Sequence, residues 1–170
     1  MTSLILTIIG PDKPGLVERL SNTIADYDGN WLESALSRLG GKFAGILVIN
    51  VPDDKASGLT DALQALQQSG LKIIAEAADE QERSNTLRAF TLELIGHDKP
   101  GIVREISQAL AKRHINVENL TTELVSGSIS AELLFKAEAQ LLAPESLDFD
   151  DLQSAIEAIA SDLMVDITLH

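Results

Sequence analysis

IGPDKPG at residues 9–15 is repeated as IGHDKPG at residues 95–101, with Pro11 exchanged for His97. The likeness extends beyond the phrase. Across residues 9–25 and 95–111 the identical pairs are Ile9/Ile95, Gly10/Gly96, Asp12/Asp98, Lys13/Lys99, Pro14/Pro100, Gly15/Gly101, Val17/Val103, Ser21/Ser107 and Ala25/Ala111. Leu16/Ile102, Leu20/Ile106 and Ile24/Leu110 keep their apolar character. The same offset of 86 (residue 9 to residue 95) aligns Asn30 with Asn116 and Gly41 with Gly127. Farther on, Leu59, Leu63 and Leu66 fall on Leu152, Ile156 and Ile159, an offset of 93 (59 to 152). The chain is a duplication of a unit of about 80 residues. The second copy carries about seven extra residues (93 less 86), expected within EAQLLAPESLD at 138–148.

Each copy reads as strand, helix, strand, strand, helix, strand. Phe90, Leu92 and Leu94 alternate with Thr91 and Glu93, the period of a half-buried strand. Leu4, Leu6 and Ile8 are their counterparts. After DKPG, the apolar stripe Leu16, Val17, Leu20, Ile24 and its match Ile102, Val103, Ile106, Leu110 predict an amphipathic helix. A strand is expected near Trp31–Arg38, a turn at Gly40–Gly41 and a strand from Phe43 to Val51. Copy two should repeat this with Val117–Leu124, Gly127 and Ile129–Phe135. Second helices follow at about 57–69 and 149–161, then closing strands at 71–77 and 163–169.

The βαββαβ order predicts an α+β chain of two ferredoxin-like units in tandem, each an antiparallel sheet with its helices on one face. The boundaries are expected at 1–80 for the first domain, 81–87 for a polar linker and 88–170 for the second domain. Such a layout leaves one sheet face uncovered. In copy one that face should carry Ile5, Ile9, Ala44, Ile46 and Val48, and in copy two the more polar Thr91, Ser130 and Glu132. An apolar sheet face calls for a partner, either copy two or another subunit, so a homo-oligomer through sheet faces is an expectation.

In the repeated phrase a strand ends and a helix begins. Pro14 and Pro100 suit the first helical position. Asp12 and Asp98 are placed to accept from free N–H groups and to favour the helix dipole. Gly15 and Gly101 keep side chains out of the first turn, so that a ligand or a neighbouring strand can approach. A strand-to-helix junction with no further duty explains these residues as well as a site for a small anion such as an amino-acid carboxylate. Asn30 and Asn116 open the next strand, as turn residues or as partners for a ligand's amino group. His97 offers a hydrogen-bonding contact absent from the first loop.

Composition narrows the function. The 170 residues hold no cysteine, so disulfides, thiolate nucleophiles and cysteine zinc sites are excluded. Three scattered histidines make no metal site, and no cofactor is expected. The formal net charge is −13, from 26 acidic and 13 basic side chains. Such a surface repels a phosphate backbone, so direct nucleic-acid binding is not expected. No P-loop, dinucleotide fingerprint, nucleophile elbow or HExxH motif is present, and the chain reads as non-catalytic. ESLDFDD at 145–151 reads as a helix start capped by Asp148. The apolar runs are too short to span a bilayer and the N-terminus lacks a basic leader region, so a cytoplasmic protein is expected.

Paired βαββαβ units, each opening with a strand and G-x-D-x-P-G-[LI]-V, resemble ACT domains, the small modules that sense amino acids. The whole chain resembles the glycine cleavage system transcriptional repressor family. That resemblance implies transcriptional repression through a DNA-binding partner protein, responsive to a small amino acid of the glycine or serine class. A regulatory subunit that tunes an amino-acid metabolic enzyme is the alternative. It also implies ligand contacts near the first strand-to-helix loop: Gly10, Asp12, Gly15 and Asn30 in copy one, and Gly96, His97, Asp98, Gly101 and Asn116 in copy two, with copy two the expected ligand site because it has His97 where copy one has Pro11.

Overall fold

Alternating burial runs the length of the first strand, β1 (Thr2–Pro11), with Leu4, Leu6 and Ile8 turned inward. The computed structural model describes residues 1–79, 87–129 and 131–170. The chain divides into two compact units, Met1–Gln81 and Glu82–His170. The first contains β1, α1 (Leu16–Asp26), β2 (Asn30–Leu39), β3 (Lys42–Val51), α2 (Ala56–Ala65) and β4 (Lys72–Ala77). Its antiparallel sheet has the order β2-β3-β1-β4. The second contains β5 (Leu87–His97), α3 (Ile102–Ala111), β6 (Asn116–Ser126), β7 (Leu133–Pro144), α4 (Phe149–Leu163) and β8 (Val165–Leu169), with the order β6-β7-β5-β8. Both are ferredoxin-like βαββαβ units. The expected linker at 81–87 lies outside the described residues except for Leu87, which opens β5.

In each unit two helices seal the inward face of the sheet. Leu16, Leu20 and Ile24 of α1 meet Leu6, Leu47, Ile49 and Leu59 in the first core. The second core joins Ile102, Ile106 and Leu110 to Leu92, Leu141, Leu152 and Ile156. Each fully buried side chain of this kind contributes about 1.5–3 kcal/mol. Val17 and Val103, expected in the buried stripe, are instead 45% exposed at the helix flanks. In both units a bulge interrupts the edge strand at matched places, between Trp31 and Glu33 and between Val117 and Asn119.

The two cores differ in one instructive way. Where the first has Trp31 and Leu47, the second has Val117 and Ala139. The smaller pair leaves an apolar cavity of about 50 Å³ between α3 and the sheet, lined among others by Leu110, Val117, Phe135 and Ala139.

The seventh strand and the place of the inserted residues differ from expectation. The seventh strand spans Leu133–Pro144 rather than Ile129–Phe135, and Ile129 is fully exposed outside any strand. Glu33 pairs with Val48 in the first sheet and Asn119 with Gln140 in the second. The offset between copies therefore rises from 86 (33 to 119) to 92 (48 to 140) within the β6–β7 connection, so six of the seven extra residues lie there and only the last step, to 93 (59 to 152), falls after residue 140. The first hairpin closes on Gly40 and Gly41 alone, with φ of 58° and 76°, a tight turn with both central residues left-handed. The second needs residues 127–132, with the Gly127 N–H donating to the Glu132 carbonyl at 3.0 Å.

The outward sheet faces differ as the sequence predicts. In the first unit, Ile5 pairs with Val48, Ile9 with Ala44, and Thr7 lies between Ile46 and Ile74. At matched positions the second unit shows Thr91 against Gln140 and Glu93 against Glu138. Glu132 precedes β7 rather than lying on this face, and Ser130 lies outside the described residues. Among the described residues no helix is long and apolar enough to cross a membrane.

Candidate functional site

β1 ends at Pro11 and α1 begins at Leu16, so residues 12–15 must turn the chain from sheet to helix. Gly15 makes the turn in the left-handed region, at φ 90° and ψ −1°, and Gly101 repeats it at φ 94° and ψ −2°. A residue with a Cβ pays about 1–2 kcal/mol in that conformation, which is the physical reason glycine recurs there. Nothing lies within 4 Å of a Cβ built on Gly15, so the requirement is conformational. Gly10 and Gly96 answer to a different need. A Cβ on Gly96 would lie 2.3 Å from Val165 Cγ1, and one on Gly10 would lie 3.0 Å from Leu71 Cδ1.

The glycine cap changes the expected role of the aspartates. Neither α1 nor α3 receives a side-chain cap hydrogen bond. Asp12 is turned instead toward the β2–β3 turn. Arg38 Nη1 donates to Asp12 Oδ2 at 3.2 Å, and the Asp12 N–H donates to the Gly41 carbonyl at 3.1 Å. Pro14 likewise lies before the helix rather than at its first position. By contrast α4 is capped as expected, with Asp148 Oδ1 accepting from the N–H groups of Asp150 and Asp151 at 3.1 and 3.2 Å.

The uncapped helix ends have a chemical consequence. The first helical bond of α1 runs from the Arg19 N–H to the Gly15 carbonyl. The N–H groups of Leu16, Val17 and Glu18 precede that bond and so have no acceptor within the helix. They border an open hollow of about 480 Å³ lined by Asp12, Lys13, Pro14, Gly15, Leu16, Val17, Glu18 and Phe43. The partial positive charge of the helix end and Lys13 favour an anion there, and Glu18 opposes one. Phe43 adds an apolar wall. The hollow thus suits a small molecule with a carboxylate and a modest apolar part.

The second loop is built differently. His97 is the last residue of β5, and its Nδ1 lies 3.3 Å from Glu132 Oε2, with both side chains more than half exposed. Glu132 belongs to the lengthened β6–β7 connection. The exchange of Pro11 for His97 and the inserted residues therefore meet at one point. Each loop is tied to its neighbouring hairpin turn, the first through Asp12, the second through His97.

Among the expected site residues, each unit brings its glycines and aspartate together at one end of the sheet. It does not bring the asparagines there. Asn30 pairs with Asn50, whereas Gly10 pairs with Phe43, seven residues along β3 (43 to 50), a separation of about 24 Å. Asn116 pairs with Leu142 and His97 with Leu134, eight residues apart on β7 (134 to 142). Asn116 Nδ2 instead donates to Glu118 Oε1 at 2.6 Å. Arg38 and Phe43 are the neighbours that sequence reading omits. Their signal was the Gly40–Gly41 turn, because pairing β3 with β1 carries the hairpin tip to the loop. Among the described residues no group of three or more His, Cys, Asp or Glu side chains could hold a metal ion.

Two family models, each described as ACT domain, match residues 2–75 and 90–132. The chain is 21% identical to the glycine cleavage system transcriptional repressor of Escherichia coli K12, over 94% of this chain and 85% of that protein. The crystal structure of an unknown protein from Galdieria sulphuraria superposes with a TM-score of 0.88 at 25% identity, covering 99% of this chain and 97% of the other. A crystal structure provisionally described as a glycine cleavage system transcriptional repressor superposes with a TM-score of 0.70 at 18% identity, covering 99% and 96%.

Proposed function

This chain belongs to the ACT-domain family, and from that premise we propose that it is a non-enzymatic, amino-acid-responsive regulator that represses transcription through a DNA-binding partner protein. The observation that carries the reading is the end-to-end likeness to a repressor that is itself of about this length, covering 94% of this chain and 85% of the relative. The net charge of −13 supports a division of labour in which a partner touches the DNA. A cytoplasmic location follows from that role.

The effector in this reading is a small amino acid. The uncapped N–H groups of α1, the hollow beside them and Lys13 support carboxylate binding at the first loop, near Gly10, Asp12 and Gly15. His97 supports a second, more polar site with Gly96, Asp98 and Gly101. Asn30 and Asn116 stand at the far end of each sheet, so they would contact a ligand only from another domain or subunit.

Affinity capture of the tagged chain from a lysate of its source tests the partner. Recovery of a DNA-binding regulator supports the proposal. Recovery of an amino-acid metabolic enzyme in its place would reassign the chain as that enzyme's regulatory subunit. Tight binding of the purified chain itself to promoter DNA at physiological salt would contradict the proposed division of labour.

A further inference from the structure

The cavity under α3 in the second unit is a space that the scaffold does not require. The first unit has the same fold and closes the matched place with its own side chains, Trp31 packing against the core and Leu47 fully buried. Strand pairing puts Val117 and Ala139 at those positions in the second unit. An unfilled space in a core forfeits packing energy, a loss that the first unit avoids on the same framework.

We propose that this cavity is a binding site for the short branched aliphatic end of an uncharged small molecule. The walls select the chemistry. Leu110, Phe135, Ala137 and Ala139 line the cavity, and Ser107 is the one polar residue among the described residues that border it. The Ser107 hydroxyl is already engaged, donating to the Arg104 carbonyl at 3.0 Å. A buried water needs about two to four polar partners, and these walls do not supply them. None of the lining side chains is charged, so an ammonium or carboxylate group would lose its hydration without compensation. Hydrocarbon is what the space accepts.

Size and access narrow the occupant further. The volume is about 50 Å³, well below the ~150 Å³ of an engineered apolar cavity that takes up benzene. It admits a group of about three or four carbons and is too small for a ring, a helix or a strand. Val103, Val117 and Leu120 border it and are 45%, 40% and 51% exposed. The mouth therefore opens between α3 and the edge strand β6. A ligand enters there without unfolding the unit, and its polar end stays in water.

Methyl NMR of the full chain, under xenon pressure and in a series of alcohols from methanol to isobutanol, is the test. Xenon should shift the methyls of Val103, Leu110, Val117 and Leu120 saturably and leave those of Leu47 and Leu59 in the first unit unmoved. Alcohol binding should tighten about fourfold with each added carbon as far as isobutanol, and benzyl alcohol should bind more weakly than isobutanol. Val117→Trp, which restores the first unit's residue, should abolish both responses. Ala139→Val fills less of the space and should weaken them about tenfold, which keeps the test open if the tryptophan variant does not fold. Equal shifts in the two units, or a xenon response unchanged in these variants, would overturn the site. An affinity flat along the alcohol series would overturn the aliphatic assignment. A xenon response lost as the chain is concentrated would make a neighbouring chain's side chain the occupant and overturn the small-molecule reading. Neither amino-acid binding at the loops nor partner capture enters these readouts.

Discussion

The left-handed backbone at Gly15 and Gly101 makes the repeated glycine a requirement of geometry, independent of any ligand. Gly15→Ala should therefore destabilise the first unit by about 1 kcal/mol, measured by urea denaturation. Gly96→Ala should cost more, about 2–3 kcal/mol, because its Cβ meets Val165 side-chain and backbone atoms. Pairing Gly96→Ala with Val165→Ala should show a coupling energy that recovers part of the loss. The sequence identifies these glycines without distinguishing the two reasons for them. DKPG resembles an ordinary helix start, and only the φ values show that Gly15 occupies the cap and frees Asp12 for Arg38. Asp12→Ala should accordingly change stability by no more than about 0.5 kcal/mol, the worth of an exposed ion pair. Asp148→Ala, at a true cap, should cost about 1 kcal/mol.

Among the elements, the strands and helices were legible wherever burial imposed a period. Leu4, Leu6 and Ile8, or Leu16, Leu20 and Ile24, can face only one core. The third strand of the second unit was not legible. Among the described residues between Ser126 and Leu133 none belongs to a strand, so no strand period marks them and alignment sets most of the inserted residues too late. Asn30 and Asn116 were misleading for a related reason, since nearness in sequence to the first helix does not reveal which end of the sheet a strand starts from. The strand pairing decides that. The exchange of Trp31 and Leu47 for Val117 and Ala139 predicts a stabilising substitution. Ala139→Val should fill part of the 50 Å³ cavity under α3 and raise stability by about 0.5–1 kcal/mol, seen as a higher urea midpoint at unchanged slope. A loss would mean that the cavity walls have already closed around Ala139.

For the molecule as a whole, duplication supplies two versions of one scaffold with different surfaces. One has a tight glycine turn, an open hollow and an apolar sheet face. The other has a long turn, the His97–Glu132 contact and an acidic sheet face. If this scaffold responds to an amino acid, thermal-shift titration of the full chain with each of the twenty amino acids reveals the response. A ligand at about a hundred times its dissociation constant stabilises by about 2.7 kcal/mol, a rise of several degrees for units of this size. Such a rise is expected with one small amino acid. Val17→Glu, which places a carboxylate at the hollow, should abolish the response if the first loop binds, and His97→Ala if the second does. A melting temperature unmoved by all twenty at saturating concentration would contradict it.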